Sequence, residues 1–212
     1  MPIMTPVDAP SELELADWRR RIAELYADIR RLAAIDPAGA LTLWRQVRGA
    51  LYREHDQSPV PVADRAAFEA LHFAADPTLR FEVAVARDVG GPPADVPLSA
   101  GGGMSLRRLG WLDIPFAAGE RRLALYWMEG YAGGLFLPFR DATNGRETYP
   151  AGRYLLDAAK GADLGATRDG RLVIDFNFAY QPSCAFDARW ACPLAPPENW
   201  LDIPISAGER IA

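Results

Sequence analysis

Residues 79–85 read Leu-Arg-Phe-Glu-Val-Ala-Val, and at this point the hydrophobic period of the chain becomes two. Apolar residues alternate with mostly polar ones, which is typical of a β-strand with one buried face. The alternation returns at 123–127 and 172–175, with Gly-rich and Pro-rich turns between the strands. No helix-length segment separates the later strands, which argues against parallel βαβ units. We predict an antiparallel β-sandwich or barrel.

Upstream of this strand the hydrophobic period is helical. In two runs, apolar residues recur every three or four positions: Leu15, Trp18, Ile22, Leu25, Ile29 and Leu32, then Leu41, Trp44, Val47 and Leu51. Asp36-Pro37 separates the runs, because proline suits the first turn of a helix and disrupts its interior. We predict an αα-hairpin. The predicted fold class is α+β, with a helical region (1–75) packed on a mainly-β region (76–212) as one compact domain.

Composition argues against several classes of function. The 212 residues carry a net charge of −5 and the basic residues are scattered, whereas a nucleic-acid groove needs clustered cations. No apolar run is long enough to cross a bilayer, and the first residues do not open a signal peptide. We predict a cytoplasmic protein without nucleic-acid or membrane partners, and the oligomeric state stays open. Nucleotide-binding, serine-hydrolase and zincin motifs are absent, so we expect no organic cofactor.

One repeat is present. Residues 111–121, WLDIPFAAGER, recur at 200–210 as WLDIPISAGER, with nine of eleven positions identical. Apolar and acidic residues followed by an Ala-Gly-Glu turn are typical of a strand and its turn. We predict two equivalent strand–turn elements of one sheet system.

The last third of the chain places ionisable residues inside apolar runs, as at 137–141, LPFRD. Such a charge must be paired, hydrogen-bonded or used in a site. Arg140 and Asp141 fit two hypotheses, because a guanidinium suits a substrate carboxylate or phosphate, and the two residues could also form an internal ion pair beside the turn at 143–145. The residues expected to bind substrate are Arg140, Asp141, Arg153, Asn177, Glu198 and Asn199.

A second set of candidates surrounds residues 174–178, IDFNF. On a strand, Asp175 and Asn177 would share one face and the two phenylalanines would face the core. If the polar face lines a cavity, burial raises the pKa of one carboxylate while another stays ionised, as acid–base catalysis requires. A solvated outer face fits equally well. The residues expected to be catalytic are Asp175, Glu147, Tyr149, Tyr180 and His55. The oxygen-rich pocket would suit a divalent cation, but no spaced ligand loop occurs, so we predict no metal site.

Two further features leave alternatives open. His55 follows the second helix, where it fits a C-terminal cap or a base that reaches the pocket. Cys184 and Cys192 are separated by seven residues. Buried thiols packed beside prolines are the default interpretation, with a reactive thiol or a metal ligand as alternatives.

Several C-terminal motifs together resemble a known family. They are residues 133–143, 147–149, 152–155, 175–180, 182–184, 190–193 and 196–199. These stretches are similar to the prokaryotic domain-of-unknown-function family sixteen eighty-four. Residues 55–59, HDQSP, also look like that family's His-x-Gln-Ser-Pro stretch. The resemblance implies a single-domain cytoplasmic protein and no established activity.

Three functions fit these residues. The first is a cofactor-independent enzyme that acts on a small polar or anionic metabolite by carboxylate acid–base chemistry, as a hydrolase, lyase or isomerase. The alternative is a non-catalytic protein that binds or senses a small molecule with the same pocket. In the third, the motif residues only brace long loops.

Overall fold

The computed structural model describes residues 12–88, 93–131 and 133–211. Its helices are α1 (Glu12–Leu32), α2 (Pro37–Glu54) and α3 (Val62–Arg65). Helices α1 and α2 pack against each other across a short connection, as predicted. Asp36 caps α2, because its carboxylate accepts a hydrogen bond from the amide of Gly39 at 2.9 Å. Within the described ranges, no helix combines the length and apolarity needed to span a membrane.

All described strands lie downstream of the three α-helices, and every pairing between them is antiparallel. They are β1 (Leu71–His72), β2 (Arg80–Val83), β3 (Val85–Arg87), β4 (Ala94–Pro97), β5 (Gly103–Phe116), β6 (Gly119–Met128), β7 (Gly134–Phe139), β8 (Arg153–Asp157), β9 (Leu172–Asp175) and β10 (Glu209–Arg210).

Within the part of the chain that the structure describes, the main sheet has six strands. Its order is β3-β5-β6-β7-β8, and β4 pairs with the other end of the long strand β5. Two short ladders, β2–β9 and β1–β10, lie outside it. The α+β class with antiparallel sheets is therefore confirmed. Of the two arrangements predicted, the closed barrel is not formed by the described strands, because β3 and β8 remain as edges of the main sheet.

Both faces of the main sheet are covered. On β6, Ala124 and Tyr126 belong to a core shared with α1 and α2, whereas Leu123 and Leu125 on the opposite face belong to a second core. The alternation of side chains along a strand produces this division.

The two copies of the repeat have different structures, so the prediction of two equivalent strand–turn elements is wrong. Residues 111–121 form the end of β5, a turn and the start of β6. In residues 200–210 only β10 is a strand. The first copy pairs with itself across a hairpin. The second copy instead offers the backbone oxygens of Ile205 and Ala207 to the side chain of Arg153.

The strand predicted through Asp175 and Asn177 ends at Asp175. Residues Phe176–Phe178 form a 3-10 turn, and the carboxylate of Asp175 caps it by accepting from the amide of Asn177 at 3.0 Å. The placement of both polar side chains on one strand face is therefore wrong. Both phenylalanines are buried, as predicted.

Candidate functional site

The guanidinium of Arg153 and the carboxylate of Asp141 form an ion pair in the interior. Nη2 of Arg153 lies 2.9 Å from Oδ2 of Asp141, and neither side chain has solvent-accessible surface. Arg153 also donates to the backbone oxygens of Ile205, Ala207 and Glu209. Burial lowers the pKa of Arg153, and the charge of Asp141 opposes that change. The pair fastens the C-terminal segment to β8.

Hydroxyl and amide groups close the turn that follows Asp141. Its Oδ1 accepts from the amide and the hydroxyl of Thr143, at 2.8 Å and 2.6 Å. Its own amide donates to Oδ1 of Asn144 at 2.6 Å. Glu147 lies in the same turn, where its backbone oxygen accepts from the amide of Ile211. Asp141 therefore uses both carboxylate oxygens inside the protein.

A second buried ion pair joins Arg48 of α2 to Glu209 of β10. Nε of Arg48 lies 2.9 Å from Oε1 of Glu209, and the guanidinium stacks 4.5 Å from the ring centroid of Tyr180. Burial opposes the charged form of Arg48, but the charges of Glu209, Tyr52 and Tyr26 and the hydrogen bond to Glu209 together outweigh it and raise the pKa of Arg48. Tyr180 thus forms one wall of a buried arginine site, and burial raises the pKa of its hydroxyl.

Asp175 and Asn177 connect two turns. Nδ2 of Asn177 donates to the backbone oxygen of Asp76 at 2.7 Å and to Oδ1 of Asp175 at 2.8 Å. Oδ1 of Asn177 accepts from the amide of Asp76 at 2.8 Å. Burial raises the pKa of Asp175, and the hydrogen bonds from Asn177 oppose this. Every polar atom of the Asn177 side chain is thereby used within the protein.

His55 is the C-terminal cap of α2, one of the two roles considered for it. Its ring Nδ1 accepts from the amide of Gln57 at 3.0 Å, which places the ring proton on Nε2. Nε2 lies 3.1 Å from Oδ2 of Asp17, so that the ring links the end of α2 to α1. Tyr149 lies elsewhere, beside Cys184.

A groove of about 680 Å³ opens where β4, β6, the end of β7 and the segment 194–200 meet. We call it the Arg140 groove. Its walls are mainly apolar, and its polar side chains include Arg140, Tyr126 and Glu198. The apolar wall residues include Val96, Pro97, Leu106, Leu194, Pro196 and Trp200. An apolar cleft of this volume with a few polar groups has the size and composition of a small-molecule site.

Two pairs of side chains set the chemistry of the Arg140 groove. The guanidinium of Arg140 lies 4.3 Å from the ring centroid of Trp200, and no described carboxylate forms a salt bridge with it. The hydroxyl of Tyr126 donates to Oε1 of Glu198 at 2.7 Å. Burial raises the pKa of Tyr126, and the hydrogen bond to Glu198 raises it further. Tyr126 therefore keeps its proton at neutral pH and occupies one oxygen of Glu198.

Asn199 stabilises the two segments that carry Arg140 and Glu198. Its side-chain Nδ2 donates to the backbone oxygens of Ala124 and Pro138, at 3.0 Å and 2.7 Å, and its Oδ1 accepts from the amide of Ala124 at 2.8 Å. Its backbone oxygen accepts from the amide of Arg140 at 2.9 Å. One buried amide thereby fixes the strand end that carries Arg140 and the turn that carries Glu198.

The structure brings together only part of the predicted set. Arg140 and Glu198 line one groove, and Asn199 supports it. The other candidates lie outside this groove: Asp141, Glu147, Tyr149, Arg153, Asp175, Asn177, Tyr180 and His55. Sequence reasoning missed Tyr126 and Trp200. The repeat predicts a strand at Trp200, although the residue lies outside the strands and is 52% exposed. Across the described ranges, no group of three or more His, Cys, Asp or Glu is placed to hold a metal ion.

Comparison with known proteins places the chain in a family. An NMR structure of an uncharacterised protein from Haloarcula marismortui is similar, with 31% identity and a TM-score of 0.60. The match covers 83% of this chain and 95% of that one. A search of curated proteins found no match. Residues 66–210 match the family described as "Protein of unknown function (DUF1684)", which confirms the resemblance seen in the sequence. The chain belongs to this family.

Proposed function

We propose that the protein binds a small amphipathic molecule in the Arg140 groove, with an anionic group of the ligand at Arg140. The observation that supports this most directly is the state of Arg140. Its guanidinium faces the groove, stacks on Trp200 and has no salt bridge to a described carboxylate. A guanidinium held flat by an aromatic ring keeps its N–H edge available for a carboxylate or phosphate.

The rest of the groove restricts the ligand further. The second oxygen of Glu198 receives no hydrogen bond from the described residues, and it therefore suits a hydroxyl or ammonium donor on the ligand. Val96, Leu106 and Leu194 offer apolar contact to the ligand body. The ligand class that matches is a small carboxylate or phosphate with an apolar body and one hydrogen-bond donor.

Binding without catalysis is the better-supported form of the proposal. The acid–base mechanism relied on Asp175 or Glu147, and neither residue lines the Arg140 groove. The hydroxyl of Tyr126 donates a hydrogen bond to Glu198, and this bond orients the carboxylate. In this proposal the two residues recognise the ligand, and the mechanism requires neither a cofactor nor a partner protein.

Nuclear magnetic resonance titration of isotope-labelled protein tests the proposal. Benzoate and phenyl phosphate serve as anionic probes, and benzyl alcohol is the neutral probe. We expect the anions to shift the amide signals of residues 194–200 and the indole signal of Trp200 more than the alcohol does. Arg140→Gln should abolish that preference for anions, because it removes the charge and the guanidinium fork.

Arg168→Gln is the matched control, since Arg168 is also an arginine without a described ion pair but is exposed and outside the groove. It should leave every probe-induced shift unchanged. Equal shifts from anions and alcohol, or an anion preference that survives Arg140→Gln, would show that the groove does not recognise anions through Arg140.

A further inference from the structure

The two cysteines of the chain lie side by side. The amide of Cys184 donates to Sγ of Cys192 at 3.3 Å, so the sulfur of one residue contacts the backbone of the other. Both thiols are free and buried, and Cys184 retains 7% of its surface against 2% for Cys192. Seven residues separate them, and Cys184 lies in the 3-10 turn Ser183–Ala185. This contact brings together two groups that are able to form a disulfide.

The surroundings make the two thiols unequal. The thiol of Cys192 and the hydroxyls of Ser99 and Tyr149 lie around the sulfur of Cys184. These polar neighbours, Cys192 above all, lower the pKa of Cys184 to about 6, although burial opposes them. The same contact raises the pKa of Cys192, and burial adds to the increase. Cys184 is therefore the more acidic of the two thiols.

The segment around Cys192 is held in position independently of the other thiol. Its amide donates to the hydroxyl of Ser99 at 3.0 Å, and its backbone oxygen accepts from the amide of Ser99 at 2.9 Å. The amide of Leu194 donates to the backbone oxygen of Pro97 at 3.0 Å. Cys192 is thus fixed on the extension of β4, while Cys184 belongs to a separate turn.

We propose that Cys184 and Cys192 form a peroxide-reactive dithiol, in which Cys184 attacks a small hydroperoxide and Cys192 resolves the product to a disulfide. A reactive thiolate beside a protonated partner is the arrangement that this two-step oxidation requires. The proposal does not depend on ligand binding in the Arg140 groove.

The chemistry balances with one molecule of hydrogen peroxide. The Cys184 thiolate attacks one peroxide oxygen, an S–O bond forms, the O–O bond breaks, and the departing hydroxide takes a proton from solvent to become water. Cys184 is then a sulfenic acid. The sulfur of Cys192 attacks it, the S–S bond forms, the S–O bond breaks, and the hydroxyl leaves as a second water with the thiol proton of Cys192. Two thiols are oxidised and both peroxide oxygens are reduced.

The proposal also connects oxidation to the Arg140 groove. Pro97, Pro150 and Leu194 line that groove, and each lies within two residues of Ser99, Tyr149 or Cys192. A new S–S bond changes the sulfur of Cys184 beside which Ser99 and Tyr149 lie. We therefore expect oxidation to shift amide signals of residues 97–99 and 149–150.

Mass spectrometry after brief exposure to hydrogen peroxide tests the dithiol. Wild type should lose two hydrogen atoms, show a Cys184–Cys192 linked peptide, and recover both thiols with dithiothreitol. Cys192→Ser should stop at a Cys184 sulfenic acid that dimedone traps, whereas Cys184→Ser should show neither product.

Wild-type protein unfolded in urea is the reference for the oxidation rate. Folded protein should oxidise at least about tenfold faster, because the lowered pKa of Cys184 supplies the thiolate. Equal oxidation rates for folded and unfolded protein, or dimedone capture at Cys192 instead, would overturn the proposal.

Tyr149→Phe tests the hydrogen-bond donor separately. It removes one hydroxyl from the thiolate of Cys184, so the pH profile of Cys184 alkylation by iodoacetamide should move to higher pH, from a wild-type midpoint near 6. The exposed Tyr131 is the matched control, and Tyr131→Phe should leave the profile in place. A profile unchanged by Tyr149→Phe, in a variant with wild-type unfolding, would show that Tyr149 does not position the reactive sulfur.

Discussion

Nη2 of Arg153 and Oδ2 of Asp141 lie 2.9 Å apart with neither side chain in contact with solvent. This ion pair connects the loop after β7 to β8, and the three backbone oxygens bound by Arg153 extend the connection to the C-terminal segment. A charge buried this deeply contributes to the fold only while its partner is present. The pair therefore controls how the C-terminal copy of the repeat is held.

Asp141→Asn should destabilise the protein by about 3–5 kcal/mol, because it leaves the buried guanidinium of Arg153 without a counter-charge. Urea unfolding followed by circular dichroism measures the loss. Asp113→Asn is the control, since Asp113 pairs with Arg122 on the surface and should change stability by no more than about 1 kcal/mol. Similar losses in the two variants would contradict the structural role of the buried pair.

The repeat supplies a second matched pair, Glu120 and Glu209, at equivalent positions of its two copies. Glu120 is exposed, whereas Glu209 is 2% exposed and bound to Arg48. Glu209→Gln should cost about 3–5 kcal/mol because it removes the counter-charge of buried Arg48. Glu120→Gln should stay within about 0.5 kcal/mol of wild type. Thermal unfolding of the two variants side by side distinguishes them, and an equal shift in Tm would refute the difference.

Asp175→Asn should remain within about 1 kcal/mol of wild type at neutral pH, because the amide oxygen still accepts both hydrogen bonds from Asn177 and the variant no longer buries a charge. Since burial raises the pKa of Asp175 above its ordinary value of 3.8, the folded protein binds the proton more tightly than the unfolded chain. The stabilisation from this proton is complete below that ordinary value and disappears as pH rises through the folded pKa.

The free energy of unfolding of wild type, relative to that of Asp175→Asn, should therefore increase as the pH is lowered from neutral to about 4. Urea unfolding at several pH values measures it. Asn177→Ala is the comparison variant and should lose about 1–3 kcal/mol at neutral pH, because it leaves the partly buried backbone groups of Asp76 without their side-chain partner. A relative stability that shifted in favour of Asp175→Asn at low pH would contradict the raised pKa of Asp175.

Asn199→Asp should destabilise the protein by about 3 kcal/mol or more at neutral pH, since a buried carboxylate would face the backbone oxygens of Ala124 and Pro138 in place of a double donor. Asn144→Asp is the control, at a half-buried asparagine whose oxygen also accepts a backbone amide. Asn144→Asp should lower the free energy of unfolding less than Asn199→Asp does, because solvent reaches the side chain of residue 144. Chemical denaturation compares the two, and an equal cost would argue against Asn199 as the support of the groove.

Local patterns were sufficient for the helices and for most of the main sheet. The three-and-four spacing around Trp18 and Trp44 predicted α1 and α2, and the alternation around Phe81 and Leu125 predicted strands. These signals are local because a helix or strand buries one face by its own periodicity. Asn177 shows the limit of such patterns, because a side-chain cap at Asp175 turned the backbone where alternation favoured a continuing strand.

The candidate site depended less on local pattern. Arg140 was predicted as a charge inside an apolar run and Glu198 as a member of an oxygen-rich pocket, but Tyr126 is a residue of alternating strand β6 with no distinguishing neighbour. Its hydroxyl becomes functional in the proposal only because Glu198 lies 2.7 Å from it across 72 positions of chain. A contact between residues this far apart in sequence cannot be recognised from the spacing of residue types along the chain.

The sequence by itself determined the fold class, the positions of the main elements, the family and the residues whose charges needed partners. Only the tertiary structure decided which partners they have. The repeat demonstrates this division, because nearly identical segments become a hairpin at one place and an irregular segment at the other. The first copy has its pairing strand next in sequence, while the second meets Arg48 and Arg153 from distant elements. Identical local preferences lead to different structures when long-range contacts supply the stronger hydrogen bonds.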